Sequence, residues 1–177
     1  MSAQPETKFL KLDIGCGKNK REGFTGCDIR PFDGVDVVFD LRLAWPWETA
    51  SVEEVHCSHF VEHLTASERI HFVNELHRVM IPGAKATLIT PHWASCRAYG
   101  DLTHQWPPVS EFWFYYLSKK WRTDNAPHND EYTCDFDATW GYSMHGAVVV
   151  RNQDFQNFAM QFYKEAAQDI IATLTRI

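Results

Sequence analysis

Apolar residues in the first half of the chain come in short runs, each closed by an acid, a histidine or a turn residue. Residues 9–14, 24–28, 35–40 and 52–58 read as four strands, the fourth the weakest. Residues 65–80 follow another rhythm. Phe72, Val73, Leu76, Val79 and Met80 recur at 3.6 spacing, which predicts an amphipathic helix. Thr65 and Glu68 form a capping-box pattern at its start, and Pro82-Gly83 is the stop signal. Residues 84–90, closed by Pro91, read as a fifth strand.

Strands joined by crossovers predict a parallel sheet that takes ligands at the carboxyl ends of its strands. That rule puts Asp13, Gly15, Cys16, Gly17, Asp28, Asp40, Ser58, His59, Pro91 and His92 on one rim. The second half is less regular. A short helix is expected over 109–117, a polar exposed loop over 124–130, and a β-hairpin over 132–150 turning near Gly141 or Gly146. Asp154 is expected to cap a final helix with Phe155, Phe158, Ala159, Phe162, Ala166 and Ile170 on one face. The predicted fold is α/β: a Rossmann-like three-layer sandwich with a mostly parallel central sheet and a C-terminal β-hairpin. Its 177 residues form one expected domain, with 9–91 the ligand-binding half and 92–177 the cover.

Composition narrows the function. The formal charge of −6 argues against a broad grip on nucleic acid. Five cysteines, odd in number and without a C-x-x-C pair, predict reduced thiols and a cytoplasmic location. Residues 1–7 lack a signal-peptide pattern, and no apolar run approaches the ~20 residues of a membrane span, so no membrane association is expected. An oligomer is compatible with an amphipathic final helix.

The strand-tip motif carries the chemistry. Gly15-Cys16-Gly17 follows Leu12-Asp13-Ile14 at once, but the third glycine of a dinucleotide fingerprint is missing. Asp28 comes so soon after Gly17 that a full crossover helix hardly fits, and with it goes the helix N-terminus that a pyrophosphate requires. Bare turns and strand-tip acids remain. They suit a nucleoside with a cationic tail and no phosphate, Asp28 bonding a ribose diol and Asp13 favouring an ammonium.

The run from Leu12 to Ile29 resembles the start of class I S-adenosylmethionine-dependent methyltransferases, in their compact branch. Residues 37–41, Ser58-His59-Phe60-Val61-Glu62-His63-Leu64, residues 75–83, and Asp101-Leu102-Thr103-His104 with Glu111-Phe112 are similar to further segments of that branch, in its order. The resemblance covers about residues 9–117. It implies S-adenosylmethionine as cofactor, with Gly15 and Gly17 along its methionine part and Asp28 at the ribose. Ile29 would pack on the adenine, Asp40 and Leu41 approach its amino edge, and Ser58 and His59 border the methyl group. Ala84 stands where a second glycine is usual, and helices that often precede strand one are missing. Acceptor recognition is therefore expected from the aromatic segment, the C-terminal half or a partner chain.

Other patterns compete. His59-x-x-Glu62-His63 matches an inverted zinc-peptidase motif, but its place after a strand opposes zinc hydrolysis, and no metal ligands are assigned. Trp93, Tyr99 and Trp106 are expected to form a lid, Phe112 and Tyr116 to fill the core. A displacement at a sulfonium needs alignment and desolvation first. A base is needed only for a weakly acidic acceptor, and His59 or His104 would supply it. The expected function is methyl transfer to a small-molecule acceptor. The alternative is a non-catalytic S-adenosylmethionine-binding accessory subunit.

Overall fold

The computed structural model describes residues 9–177, so the leaderless reading of residues 1–7 lies outside the described residues. β1 (Leu10–Ile14), β2 (Thr25–Asp28), β3 (Val37–Val38), β4 (Val52–Ser58) and β5 (Met80–Pro91) are parallel. β6 (Phe136–Met144) and β7 (Ala167–Arg176) complete a seven-stranded sheet in the order β3-β2-β1-β4-β5-β7-β6. β7 runs antiparallel to both β5 and β6. The α/β, mostly parallel architecture with an antiparallel C-terminal pair matches the sequence reading.

The crossovers are unequal. α1 (Ala66–Val79) joins β4 to β5, whereas β1–β2, β2–β3 and β3–β4 are joined without a helix. α1 forms where its apolar period predicts. Thr65 and Glu68 make the reciprocal capping box, with the Thr65 N–H donating to Glu68 Oε2 at 2.8 Å. Such a cap is worth about 1 kcal/mol. Phe72, Val73, Leu76 and Val79 are fully buried against Leu12, Ile14, Val55 and Cys57 of the sheet, each worth roughly 1.5–3 kcal/mol. Packing dominates and the cap sets where the helix begins.

The long β3–β4 connection is stapled to α1 instead of forming a helix of its own. Glu75 accepts from the Trp45 N–H at 2.7 Å, and the Arg78 guanidinium donates to the Trp45 and Trp47 carbonyls. Trp45 itself is buried and donates from Nε1 to the Leu41 carbonyl. Asp40 and Leu41 are thereby fixed beyond the tip of β3.

Several boundaries differ from the expected ones. β3 is two residues long, since only Cys27 and Asp28 of the short β2 offer it partners. β4, expected to be weak, is a seven-residue central strand, because β1 and β5 flank it on both sides. β5 begins at Met80, so α1 passes straight into it and Pro82-Gly83 lies within the strand beside a register shift. The short helix α3 is Glu111–Tyr115, after α2 (Arg97–Gly100), and α4 (Lys119–Asn125) occupies the front of the expected polar loop. Its N-cap, Ser118, accepts from the Trp121 N–H.

The hairpin expected within 132–150 is a correction. Residues 136–144 form one strand, with Gly141 in its middle and Gly146 opening α5 (Gly146–Val149). Its partner is β7, reached through α6 (Gln153–Phe162). Asn152 caps α6 in place of Asp154, accepting from the Phe155 N–H at 2.9 Å. The final helix also ends earlier than its apolar spacing suggests. Ile170 belongs to β7, where it is buried between β5 and β6, and Ala166 precedes that strand.

One buried network ties the cover to the sheet. His92, just beyond β5, lies 2.9 Å through Nε2 from Glu111 Oε1, and the Tyr142 hydroxyl donates to the same oxygen at 2.9 Å. Burial acts to raise the Glu111 pKa, but the bonds from His92 and Tyr142 prevail and hold it down at about 2. Because the folded pKa lies below the ordinary 4.5, this carboxylate stabilises the fold fully above that pH. The contribution, about 3 kcal/mol, is lost as pH falls towards 2. Glu111→Gln is therefore expected to flatten the acid limb of a urea-midpoint profile between those limits; an unaltered limb would show that the network does not hold its charge.

Candidate active site

The carboxyl ends of β1, β2, β3 and β4 open onto a cleft of about 470 Å³, within the usual range for small-molecule sites. Its floor starts at the glycine turn. The N–H groups of Gly15 and Cys16 both donate to the Cys27 carbonyl, at 2.8 and 3.2 Å, which binds the end of β1 to β2. Gly15 has φ +64°, and a Cβ there would stand 2.7 Å from Phe60 Cδ2. Glycine is thus required twice over at that position, by backbone conformation and by the phenyl ring.

Asp28 closes β2 with both oxygens engaged by backbone. Oδ2 accepts from the Gly17 N–H and Oδ1 from the Arg30 N–H, each at 2.9 Å. A carboxylate has about four lone-pair sites, so acceptor capacity remains on the cleft side. Ile29, Phe32, Phe39 and Leu41 give the cleft its apolar lining. Asp40 also lines it, bridged to Arg42 by contacts of 2.9 Å to Nε and 2.7 Å to Nη2. The Arg42 hydrogen bonds hold the Asp40 pKa below the ordinary carboxylate value.

From the segment just after β4 come His59, Phe60, His63 and Leu64, joined by Thr103 from the loop after α2. His59 sits at φ +53° directly after the strand, one of the few non-glycine residues in that region. Its Nδ1 lies 3.3 Å from Glu62 Oε1, and that carboxylate raises the imidazole pKa.

Gly15, Asp28, Ile29, Asp40, Leu41 and His59 thus meet in one cleft, as their strand-tip positions predict. Six other candidates do not line it. Asp13 is buried, its oxygens engaged by the Arg21 N–H at 2.7 Å and by His56 Nδ1 at 2.9 Å, so it locks the turn. The Cys16 thiol packs against Gly26, and burial, with Asp13 and Asp28 nearby, pushes it up to about 11. Ser58 ends β4 in register with Ile89, and Gly17 reaches the site through its bond to Asp28. His92 is buried in the Glu111 network, and His104 packs edge-on to His63 with ring centroids 4.7 Å apart.

The helical zinc-peptidase arrangement that the His59-x-x-Glu62-His63 pattern would need is absent among the described residues. Val61–His63 is a single 3-10 turn with His59 outside it, so the two histidines do not share a helix face. Of the aromatic residues, Trp93, Tyr99 and Trp106 are exposed, as a lid would be. Phe112 is 59% exposed and packs edge-to-face with Tyr115, Tyr116 and Trp121, so it is not core; Phe114 fills that place. Arg42, Phe32, Phe60, His63 and Thr103 are site residues that sequence reasoning left out. The position of Arg42 two residues after the strand-tip Asp40 was the available signal.

The sequence matches no protein-family model and no curated protein. Solved structures are informative. A SAM-dependent methyltransferase from Archaeoglobus fulgidus superposes with TM-score 0.68 at 18% identity, covering 95% of this chain and 86% of that one. A SAM-dependent methyltransferase from Methanosarcina mazei gives TM-score 0.59 at 13% identity over 100% and 99% of the two chains. Geranyl diphosphate C-methyltransferase from Streptomyces coelicolor A3(2), solved with Mg2+, geranyl diphosphate and S-adenosyl-L-homocysteine, gives 0.58 at 12% over 98% and 74%. The fold is that of the class I SAM-dependent methyltransferases. Among the described residues no helix is long and apolar enough to cross a membrane.

Proposed function

We propose that the cleft binds S-adenosylmethionine and that the protein is a methyltransferase acting on a small-molecule acceptor. The observation that carries this is the Asp28 carboxylate, held at the strand tip by two backbone N–H groups with acceptor capacity to spare for a ribose diol. The residues fit such a ligand in other respects. Residues 15–24 form turns without a helix, so no helix N-terminus faces the cleft from this segment to favour a pyrophosphate. Ile29, Phe39 and Leu41 offer an apolar slot for a base, with Asp40 at its edge.

S-adenosylmethionine supplies an electrophilic methyl group on a sulfonium. The protein's part is to orient the two reactants and keep water out. Phe60 and Leu64 exclude water from the β4 side of the cleft, and His59 is the imidazole there able to take a proton from a hydroxyl acceptor. Trp93, Tyr99, Trp106, Phe112 and Tyr115 line a second open groove of about 520 Å³, which in this reading receives an apolar portion of the acceptor. The solved geranyl diphosphate C-methyltransferase, a relative in fold, supports a small-molecule acceptor. Residues 9–91 then form the cofactor half and 92–177 the acceptor half.

Methyl release from S-adenosylmethionine, followed over a panel of hydroxyl, amine, thiol and carbon acceptors, tests the reading. Turnover on at least one acceptor class, reduced at least tenfold in His59→Ala for a hydroxyl acceptor, is the expected result. Cofactor binding without turnover across the whole panel would favour the accessory-subunit alternative.

A further inference from the structure

Glu62, His63 and His104 stand together beside the cleft, one ligand atom of each lying within 4.8 Å of the others. Their hydrogen bonds determine which atoms are left over. Asp101 Oδ1 accepts the Thr103 hydroxyl proton at 2.7 Å, so that hydroxyl has only lone pairs to offer His63 Nδ1, 3.0 Å away. His63 therefore carries its proton on Nδ1 and leaves Nε2 bare. His104 Nδ1 faces the Ala98 carbonyl at 3.3 Å, an acceptor only, which fixes the same tautomer. Glu62 spends Oε2 on the Thr90 hydroxyl, while its buried Oε1 has no well-formed hydrogen bond and lies 3.3 Å from His59 Nδ1, whose pKa it raises.

Two bare imidazole nitrogens and an orphaned carboxylate oxygen are three acceptors with no donor among them. Glu62 Oε1 is buried, and a buried carboxylate oxygen without a partner is costly unless a donor or cation satisfies it, whereas the two imidazoles are more open to solvent. The framework around them is braced. Arg69, a buried residue of α1, donates to the carbonyls of Val61, Glu62, Gln105 and Pro107, clamping the Val61–His63 turn onto the loop that bears His104. Asp101 Oδ2, 4.0 Å from His104 Nε2, adds negative charge nearby.

We propose that Glu62, His63 and His104 form a binding site for a divalent first-row transition-metal ion at the rim of the cleft. Two imidazoles with one carboxylate suit Zn2+, Co2+, Mn2+ or Fe2+, whereas Mg2+ and Ca2+ prefer oxygen ligands throughout. Thr103 and the Ala98 carbonyl are the outer partners that orient the two rings. With bonds of about 2.1 Å, an ion would draw the three atoms inward by roughly 1 Å. Three protein ligands leave positions open. Because His63 and Thr103 line the cleft, those positions would receive an acceptor oxygen; this last step alone rests on the methyl-transfer reading. His104 becomes a metal ligand in place of its expected role as a base, and His59 of the H-x-x-E-H motif is not part of the set.

The test is metal binding to the whole chain, stripped with chelator and free of S-adenosylmethionine. Co2+ is titrated by visible absorption, and Zn2+, Mn2+ and Mg2+ by calorimetry. One ion per chain is expected, with Zn2+ and Co2+ bound at least 100-fold more tightly than Mg2+. Glu62→Gln, His63→Ala and His104→Ala, checked for folding by circular dichroism, should each weaken Co2+ binding at least 100-fold. Thr103→Ala should weaken it about tenfold, and His59→Ala less than threefold. Absence of binding, binding that survives Glu62→Gln and His104→Ala, or Mg2+ held as tightly as Co2+ would each overturn the assignment. Since the cofactor is absent from these titrations, their failure is separable from failure of the cofactor reading.

Discussion

Asp28→Ala is expected to weaken S-adenosylmethionine binding by roughly 10- to 100-fold, the range of 1.5–3 kcal/mol given by a charge-assisted hydrogen bond. The substitution acts twice. It removes the carboxylate proposed to bond the ribose, and it releases the Gly17 and Arg30 N–H groups that shape the turns on either side. Asp28→Asn keeps an acceptor oxygen without the charge and should fall between wild type and alanine. Isothermal titration of the three proteins measures the series. An alanine variant within threefold of wild type would mean that the ligand does not meet the end of β2.

Gly15→Ala is expected to lower stability by about 2–3 kcal/mol and to abolish measurable cofactor binding. Left-handed backbone costs an ordinary residue about 1–2 kcal/mol, and the new Cβ would stand 2.7 Å from Phe60 Cδ2 and 3.0 Å from its Cβ. Relieving that contact means moving Phe60, which lines the cleft and packs against Phe72 of α1. For a domain of this size the loss corresponds to a fall in Tm of roughly 5–10 °C. Gly17→Ala is the internal control. Gly17 has φ +54° but nothing within 4 Å of a built Cβ, so only the backbone cost of about 1 kcal/mol applies. Equal losses at the two glycines would show that the Phe60 contact does not constrain the turn.

Much of the parallel half was legible because its signals are local. Leu12, Ile14, Phe72 and Leu76 fall on the periods of the elements they occupy, and Thr65 with Glu68 marks a helix start through bonds a few residues apart. The C-terminal pair was not, because local pattern there supports two answers. Phe155, Phe158, Ala159 and Phe162 set a helical stripe that Ala166 and Ile170 continue by spacing alone. Ile170, Ala172 and Leu174 alternate equally well as a strand. Pairing with β5 and β6 settles the matter in favour of the strand, burying all three, and such non-local pairing leaves no mark at short range.

The site divides in the same way. Asp28, Asp40 and His59 follow strand ends and could be placed from the chain alone. Asp13 and Cys16 follow the same rule yet turn inward, since His56 of the neighbouring strand and Gly26 of β2 are their partners. The convergence of Glu62, His63 and His104 depends on Arg69 holding two separate segments together, a contact that no motif spacing encodes.

The most direct test of the cofactor assignment is isothermal titration of the wild-type chain with S-adenosylmethionine. One equivalent bound per chain and displaced by S-adenosylhomocysteine is the predicted result; no saturable binding would contradict it.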